Sequence, residues 1–149
     1  MIIRTLNEDD IDGILAVERG CFSSPWDKSV ILGTISQSSY RYFGAFDGDM
    51  LCGYASVTLV ADECYVNRIA VLERCRKRGI ADEIMKNIIA FCESVSAMFL
   101  SLEVRSKNVA AIALYEKHGL KQEGLRHRFY REPDDDALIM TRHFCVNQI

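Results

Sequence analysis

Proline is scarce in this chain of 149 residues: only Pro25 and Pro133 occur, and no tract rich in serine or glycine interrupts the sequence. That composition argues against disorder and against a linker. No stretch approaches the roughly 18 consecutive apolar residues of a membrane-spanning helix. The start, Met1-Ile2-Ile3-Arg4, lacks the charged-then-apolar pattern of a leader peptide. We therefore expect a cytoplasmic protein with no membrane partner. An excess of positive charge is also missing. The formal net charge of -3 argues against direct nucleic-acid binding, which uses a strongly basic surface. The six cysteines, at 21, 52, 64, 75, 92 and 145, contain no C-x-x-C pair and no histidine pair beside them. Most lie inside apolar strand or helix patterns, so free buried thiols are expected, with no disulfide framework and no metal site.

Hydrophobic residues make up 49% of the chain. A chain of this length can bury about two-thirds of its unfolded surface, so residues 1–149 are expected to form one domain without a linker or repeat. The pattern begins with a strand at 2–5 and a helix at 8–19, capped by Asn7, with Asp9 and Asp10 at its positive end. A second helix is expected from Ser24 as cap and Pro25 as first residue, with Trp26, Val30, Ile31, Thr34 and Ile35 as its buried stripe. Strands at 40–46 and 51–60 flank the turn Asp47-Gly48-Asp49, and a third follows at 63–71. Then come a helix at 80–94, a strand at 98–104, a helix at 108–117 ended near Gly119, and strands at 120–128 and 137–143. This order gives a mixed, mostly antiparallel α/β sheet with helices on both faces. The strand at 98–104 follows a helical crossover, so it should run parallel to the strand at 63–71. Ligands of open α/β sheets sit beyond the C-terminal ends of such strands.

The most informative run is Val66 to Ala81. A β-rich segment leads through the basic turn Arg74-Cys75-Arg76-Lys77-Arg78 and Gly79 into a helix whose apolar face is Ile80, Ala81, Ile84, Met85, Ile88, Ile89 and Cys92. Unpaired N–H groups and the dipole at a helix start bind an anion, and glycine lets the backbone turn there. The same basic residues also fit a solvated loop. The run is neither the three-glycine dinucleotide fingerprint nor the Gly-Lys-Ser/Thr loop of nucleotide hydrolases.

Arg76-x-x-Gly79-x-Ala81 after a strand resembles the pyrophosphate loop of the GNAT acetyltransferase superfamily. The resemblance extends to Ser24-Pro25-Trp26, Leu102-Glu103-Val104-Arg105-Ser106-x-Asn108, Ala110 to Gly119 through Leu114-Tyr115-Glu116-Lys117, Phe129-Tyr130, and Asp136 to Met140. Together these look like the RimI branch, the ribosomal-protein alanine N-acetyltransferases, over nearly the whole chain. The resemblance implies a GNAT-like sheet with a splayed parallel strand pair that admits the pantetheine arm of acetyl-CoA. It implies that Ile69, Ala70 and Val71 hold that arm by their backbone, with Asn108 a further contact. The loop Arg76, Lys77, Arg78, Gly79, Ile80, Ala81 and Asp82 would take the pyrophosphate. No metal enters, and the acceptor would be a protein N-terminus, alanine on a small-subunit ribosomal protein, attacking the thioester directly.

Elementary chemistry fits such an acceptor. An α-amine of pKa near 7.7 to 8.0 is about one-tenth neutral at pH 7, whereas a lysine near 10.4 is neutral only about once in 2,500. One carboxylate can supply the remaining help. Glu103 closes an otherwise apolar strand at the lip of the expected crevice; on position alone it fits a rim carboxylate paired with Arg105 or Arg68, and the resemblance makes it the base. Tyr115 fits a core aromatic with its hydroxyl at the surface, and the resemblance places it facing the cofactor sulfur. Asn108 also fits a plain helix cap. Arg126 to Arg131 reads either as a solvated strand edge or as a substrate rim, with Trp26, Arg68 and Tyr130 bordering the acceptor groove.

Three positions depart from the family pattern. Ala81 replaces a second glycine, Asp82 stands where a basic or small residue is frequent, and Arg68 precedes Ile69-Ala70-Val71 where asparagine or a small residue is common. Asp82 would oppose phosphate charge and is expected to point outward. Arg68 would narrow the amine side or meet an acidic residue of a peptide. Two other classes share much of this sequence logic: a GNAT enzyme acting on a small-molecule amine or lysine side chain, and a non-catalytic acyl-CoA-binding module. The presence of both Glu103 and Tyr115 disfavours the second.

Overall fold

The computed structural model of the chain describes residues 1–144, so Cys145 lies outside the described residues. Strands β1 (Ile2–Thr5), β2 (Tyr40–Asp47), β3 (Met50–Val60), β4 (Glu63–Val71), β5 (Phe99–Arg105), β6 (Lys121–Tyr130) and β7 (Asp135–His143) form a seven-stranded sheet in the order β1-β2-β3-β4-β5-β7-β6. Its β4–β5 pair is parallel and every other pair antiparallel. Four helices accompany it: α1 (Ile11–Cys21), α2 (Lys28–Leu32), α3 (Ile80–Ser94) and α4 (Val109–Lys117).

The two faces can be assigned from one strand, because successive side chains of β2 point to opposite sides. Tyr42 stacks on Tyr54, ring centroids 6.0 Å apart, and the Tyr54 hydroxyl reaches Glu18 of α1. Phe43 instead meets Phe91 of α3 edge-on at 5.9 Å. Thus α1 and α3 cover opposite faces of the sheet. The apolar face read from the sequence of α3 is the one it buries, with Ile80, Ile84, Met85, Ile88, Ile89 and Cys92 all buried. Each such isoleucine contributes roughly 1.5–3 kcal/mol by burial. Cys52, Cys64, Cys75 and Cys92 are buried free thiols and Cys21 is a partly buried one.

Local chemistry moves two helix starts from their expected places. Glu8–Asp10 is a 3₁₀ turn and α1 proper begins at Ile11. Asn7 caps the turn by accepting from the Asp9 N–H at 2.9 Å, and Asp10 accepts from the Asn7 N–H at 3.0 Å, a reciprocal box that tightens the first turn. For α2 the cap is Asp27, which accepts from the Val30 N–H at 3.1 Å, not Ser24, and Pro25 lies outside the helix. The reason is tertiary: the Trp26 N–H donates to the Glu18 carboxylate at 2.7 Å, which holds residues 22–26 as a loop. Ile31 and Ile35 are buried as expected, while Val30 is exposed.

Asp82 does not point outward. Its carboxylate lies 2.9 Å from Lys117 Nζ, 2.8 Å from His118 Nε2 and 3.4 Å from Lys86 Nζ, tying the start of α3 to the end of α4. Hydrogen bonds from Lys117 and His118 pull its pKa down to about 2 from an ordinary 3.8. A depressed carboxylate stabilises the fold above its unfolded pKa and loses that contribution as pH falls through the folded one. Asp82→Asn should therefore melt lower than the parent at pH 5, with the gap closing as pH falls toward 2. A gap independent of pH in thermal melts would contradict this.

Candidate active site

Strands β4 and β5 pair only where Glu63, Cys64 and Tyr65 face Phe99, Leu100 and Ser101. Beyond these residues each follows its other neighbour, β4 along β3 to Val71 and β5 along β7 to Arg105, so a wedge opens between them. A bulge in β4 bends the strand away: Val66 faces Val57 and Arg68 faces Ser56, leaving Asn67 as an extra residue. The Asn67 amide fixes the bulge by donating to Thr58 Oγ1 at 2.7 Å and Ser56 Oγ at 3.3 Å. Behind the wedge, Gly53 permits close strand approach, since a Cβ there would lie 2.8 Å from the Ala70 carbonyl oxygen.

The wedge is the floor of a cleft of about 1010 Å³. Its walls are Tyr65 to Ile69 of β4, Ser101 to Arg105 of β5, the loop residues Phe22 to Ser24 and Trp26, and Asn108 and Tyr115. Arg126, Phe129, Tyr130 and Arg131 complete the rim. Three residues of β6, 127–129, bulge opposite Asp136, which accepts from the Arg128 N–H at 2.8 Å. Arg105 holds this rim by donating to the carbonyls of Pro133 (2.8 Å) and Arg131 (3.2 Å) and packing 4.4 Å over the Tyr130 ring.

The expected site residues divide into two groups. Glu103, Tyr115, Asn108, Ile69, Trp26, Arg68 and Tyr130 share the cleft. Ala70 and Val71 carry β4 beyond it to a 3₁₀ turn at Glu73–Cys75 and on to the loop 76–79 at the end of the wedge. There Lys77 and Gly79 both adopt positive φ, 63° and 76°. No side chain caps α3, so the loop meets an open helix start. Two of its basic side chains serve the protein itself: Arg76 donates to the Val71 carbonyl at 3.0 Å and Arg78 pairs with Asp47 at 2.8 Å.

Glu103 alternates with the buried Leu102 and Val104 and so faces the cleft side. Its partner is Arg126, Nε to Oε1 3.1 Å, and neither Arg105 nor Arg68 contacts it. Edge strand β6 reaches across β7 to supply that arginine, a pairing set by sheet order. Tyr115 is buried in the cleft wall; burial and nearby Tyr130 push its hydroxyl up to about 12. Burial and Glu103 raise Tyr130 in turn, while Arg105 lowers it. Asn108 does cap α4, accepting from the Ala111 N–H at 3.2 Å.

Arg68 meets an acidic residue of its own chain: Nη2 lies 3.1 Å from Glu18 Oε1 and 3.1 Å from the Ser24 carbonyl. Sequence reasoning missed Glu18, fully buried on α1. Its spacing held the signal, because Glu18 falls on the same helical face as Ile11 and Ile14. Among the described residues, no cluster of His, Cys, Asp and Glu that could hold a metal is found, and no helix is long and apolar enough to cross a membrane.

The acetyltransferase (GNAT) family model matches residues 11–120. A Bacillus subtilis protein provisionally named a ribosomal protein bS18-alanine N-acetyltransferase is 30% identical over 93% of this chain and 92% of its own. The crystal structure of the Escherichia coli ribosomal-protein-S18-alanine N-acetyltransferase superposes with a TM-score of 0.92 at 26% identity, covering 99% of this chain and 96% of that one. Arabidopsis thaliana NAA60, solved in complex with acetyl-CoA, shares the fold at a TM-score of 0.85 and 18% identity, covering 96% and 99%.

Proposed function

This chain belongs to the acetyltransferase (GNAT) family and is an N-acetyltransferase; on that premise we propose that it acetylates the α-amine of an N-terminal alanine on a small-subunit ribosomal protein. The observation that carries the reading is the wedge between β4 and β5, open on a free backbone edge with Glu103 on one wall and Tyr115 in the other. The names of the relatives support the acceptor.

The residues present fit acetyl-CoA. Beyond Tyr65 the β4 backbone is not matched by β5, so the side of Ile69, Ala70 and Val71 turned away from β3 suits the amides of a pantetheine arm, with the Val71 carbonyl already accepting from Arg76. The open start of α3, Ile80 to Asp82, suits a pyrophosphate, and Asn108 keeps its amide N–H groups free while its oxygen caps α4. Bound there, acetyl-CoA supplies the thioester carbon that the amine attacks and the sulfur that leaves. Glu103 takes the proton from the attacking amine, directly or through one water, with Arg126 fixing the carboxylate's orientation. Trp26, Arg68 and Tyr130 border the side from which the amine enters. With a pKa of about 12, Tyr115 stays protonated. Full transfer of its proton to a thiolate of pKa near 8.5 would be uphill by roughly 5 kcal/mol, so its role is a hydrogen bond to the departing sulfur.

Two substitutions follow from these roles. Gly79→Val puts a β-branched residue at φ 76°, straining the turn by about 1–3 kcal/mol, and its side chain enters open space at the helix start where a pyrophosphate would approach. Calorimetry should show acetyl-CoA affinity falling at least about tenfold, the equivalent of 1.4 kcal/mol, and unchanged affinity would remove the loop from the site. Tyr115→Phe should lower kcat by about 10- to 100-fold, the worth of a hydrogen bond to a charged group. Its melting temperature should hold, because among the described residues that hydroxyl has no hydrogen-bond partner. Full activity would mean the thiolate leaves unaided.

The acceptor is tested by competition among an Ala-initiated peptide, the same peptide blocked at its amine but carrying a lysine, and spermidine. Mass spectrometry should place the acetyl group on the free N-terminus. Preference for lysine or the polyamine would overturn the acceptor and leave the family standing.

A further inference from the structure

Arg68 lines the cleft, and Nη2 of its guanidinium is bonded within the chain, while Nε is buried without a hydrogen-bond partner among the described residues. The guanidinium pairs with Glu18, donates to the Ser24 carbonyl, and lies over two rings, 3.9 Å from the Phe22 centroid and 4.6 Å from that of Trp26. Glu18 is fully buried and its two oxygens are shared by three donors: Arg68 Nη2, the Tyr54 hydroxyl at 2.7 Å and the Trp26 N–H at 2.7 Å. Three separated pieces of chain therefore converge on one carboxylate: the bulged strand β4, the central strand β3 and the loop after α1. Phe22 and Trp26 of that loop pack against the core, and the residues between them are held by little else. Ser23, Ser24 and Pro25 are exposed and α2 does not begin until Lys28.

From this convergence we propose that Glu18 and Arg68 act as a clamp that fixes the Phe22–Trp26 loop against the splayed end of β4, so that Arg68 is a positioning residue setting the width of the acceptor side of the cleft. The planar guanidinium is what the clamp requires. One nitrogen, Nη2, serves both Glu18 and Ser24, so what an ammonium cannot supply is the flat face against the Phe22 and Trp26 rings. Fixing the loop before the acceptor arrives removes an ordering cost from acceptor binding and leaves the cofactor side unaffected. The inference rests on the acetyltransferase reading for its kinetic arm, whereas its structural arm stands apart from it.

The chain's only tryptophan is Trp26, so its fluorescence reports on this loop alone. Two variants keep the test independent of folding. Arg68→Lys retains the charge opposite Glu18 and loses the plane, and Glu18→Gln with Arg68→Met removes both charges together. For each, the acrylamide quenching constant of Trp26 should rise about twofold or more. KM for the acceptor amine that the parent protein uses best should rise about tenfold, with acetyl-CoA affinity within twofold of the parent. Unchanged quenching in both variants would overturn the clamp, whatever the kinetics. A raised acceptor KM without altered quenching would make Arg68 a direct acceptor contact, and altered quenching with unchanged acceptor KM would separate the loop from the acceptor site; either result overturns the proposal. Should the parent protein acetylate no amine at all, the acetyltransferase reading fails while quenching still decides whether the clamp exists.

Discussion

Replacing Glu103 by glutamine is expected to lower kcat by about 10²- to 10⁴-fold, the usual contribution of a positioned general base, with acetyl-CoA affinity close to the parent's. The amide keeps the shape but loses the charge that pairs with Arg126, whose Nε lies 3.1 Å from Oε1, and cannot take a proton. The loss should shrink as pH rises and more of the acceptor amine is already neutral. An exposed pair such as Glu103–Arg126 contributes at most about 1 kcal/mol to stability, so the melting temperature should barely move. Wild-type turnover between pH 6 and 9 would make Glu103 a rim carboxylate only.

The largest effect on stability is expected at Glu18. Glu18→Ala strands the Arg68 guanidinium, the Tyr54 hydroxyl and the Trp26 N–H in a buried site. Removing one partner of a buried pair costs about 3–5 kcal/mol. For a chain of this size that is a fall in melting temperature of about 10–20 °C. Tyr54 shows the same low-dielectric surroundings: burial and the adjacent Glu18 carboxylate hold its hydroxyl far above its ordinary value, so it stays protonated and donates to Glu18. A fall of two or three degrees in a calorimetric melt would mean the network is largely replaceable by water.

Helix α3 was legible from end to end because its period and the glycine before it are local properties, and residues 80–94 are helical as read. The parallel pairing of β4 and β5 was legible too, from the crossover that joins them. The bulge at Asn67 was not, since a bulge exists only relative to a partner strand. Nor was the pairing of Glu103 with Arg126, which depends on β6 lying outside β7. The cap of α2 was misplaced because Ser24-Pro25 is a sound local start signal overridden by a contact to Glu18 from another helix. Arg68 lines the cleft, and its acidic partner proved to be internal. Local chemistry thus located the elements, and the site's hydrogen bonds came from residues distant in sequence.

Acetyl-CoA is expected on the side of β4 that β5 leaves unmatched and at the start of α3. Amide hydrogen exchange with and without acetyl-CoA tests this most directly. Protection should appear at Ile69 to Val71 and at Arg78 to Asp82, with β1 and β2 unchanged. Protection confined to segments outside the wedge, or none at saturating acetyl-CoA, would contradict the claim.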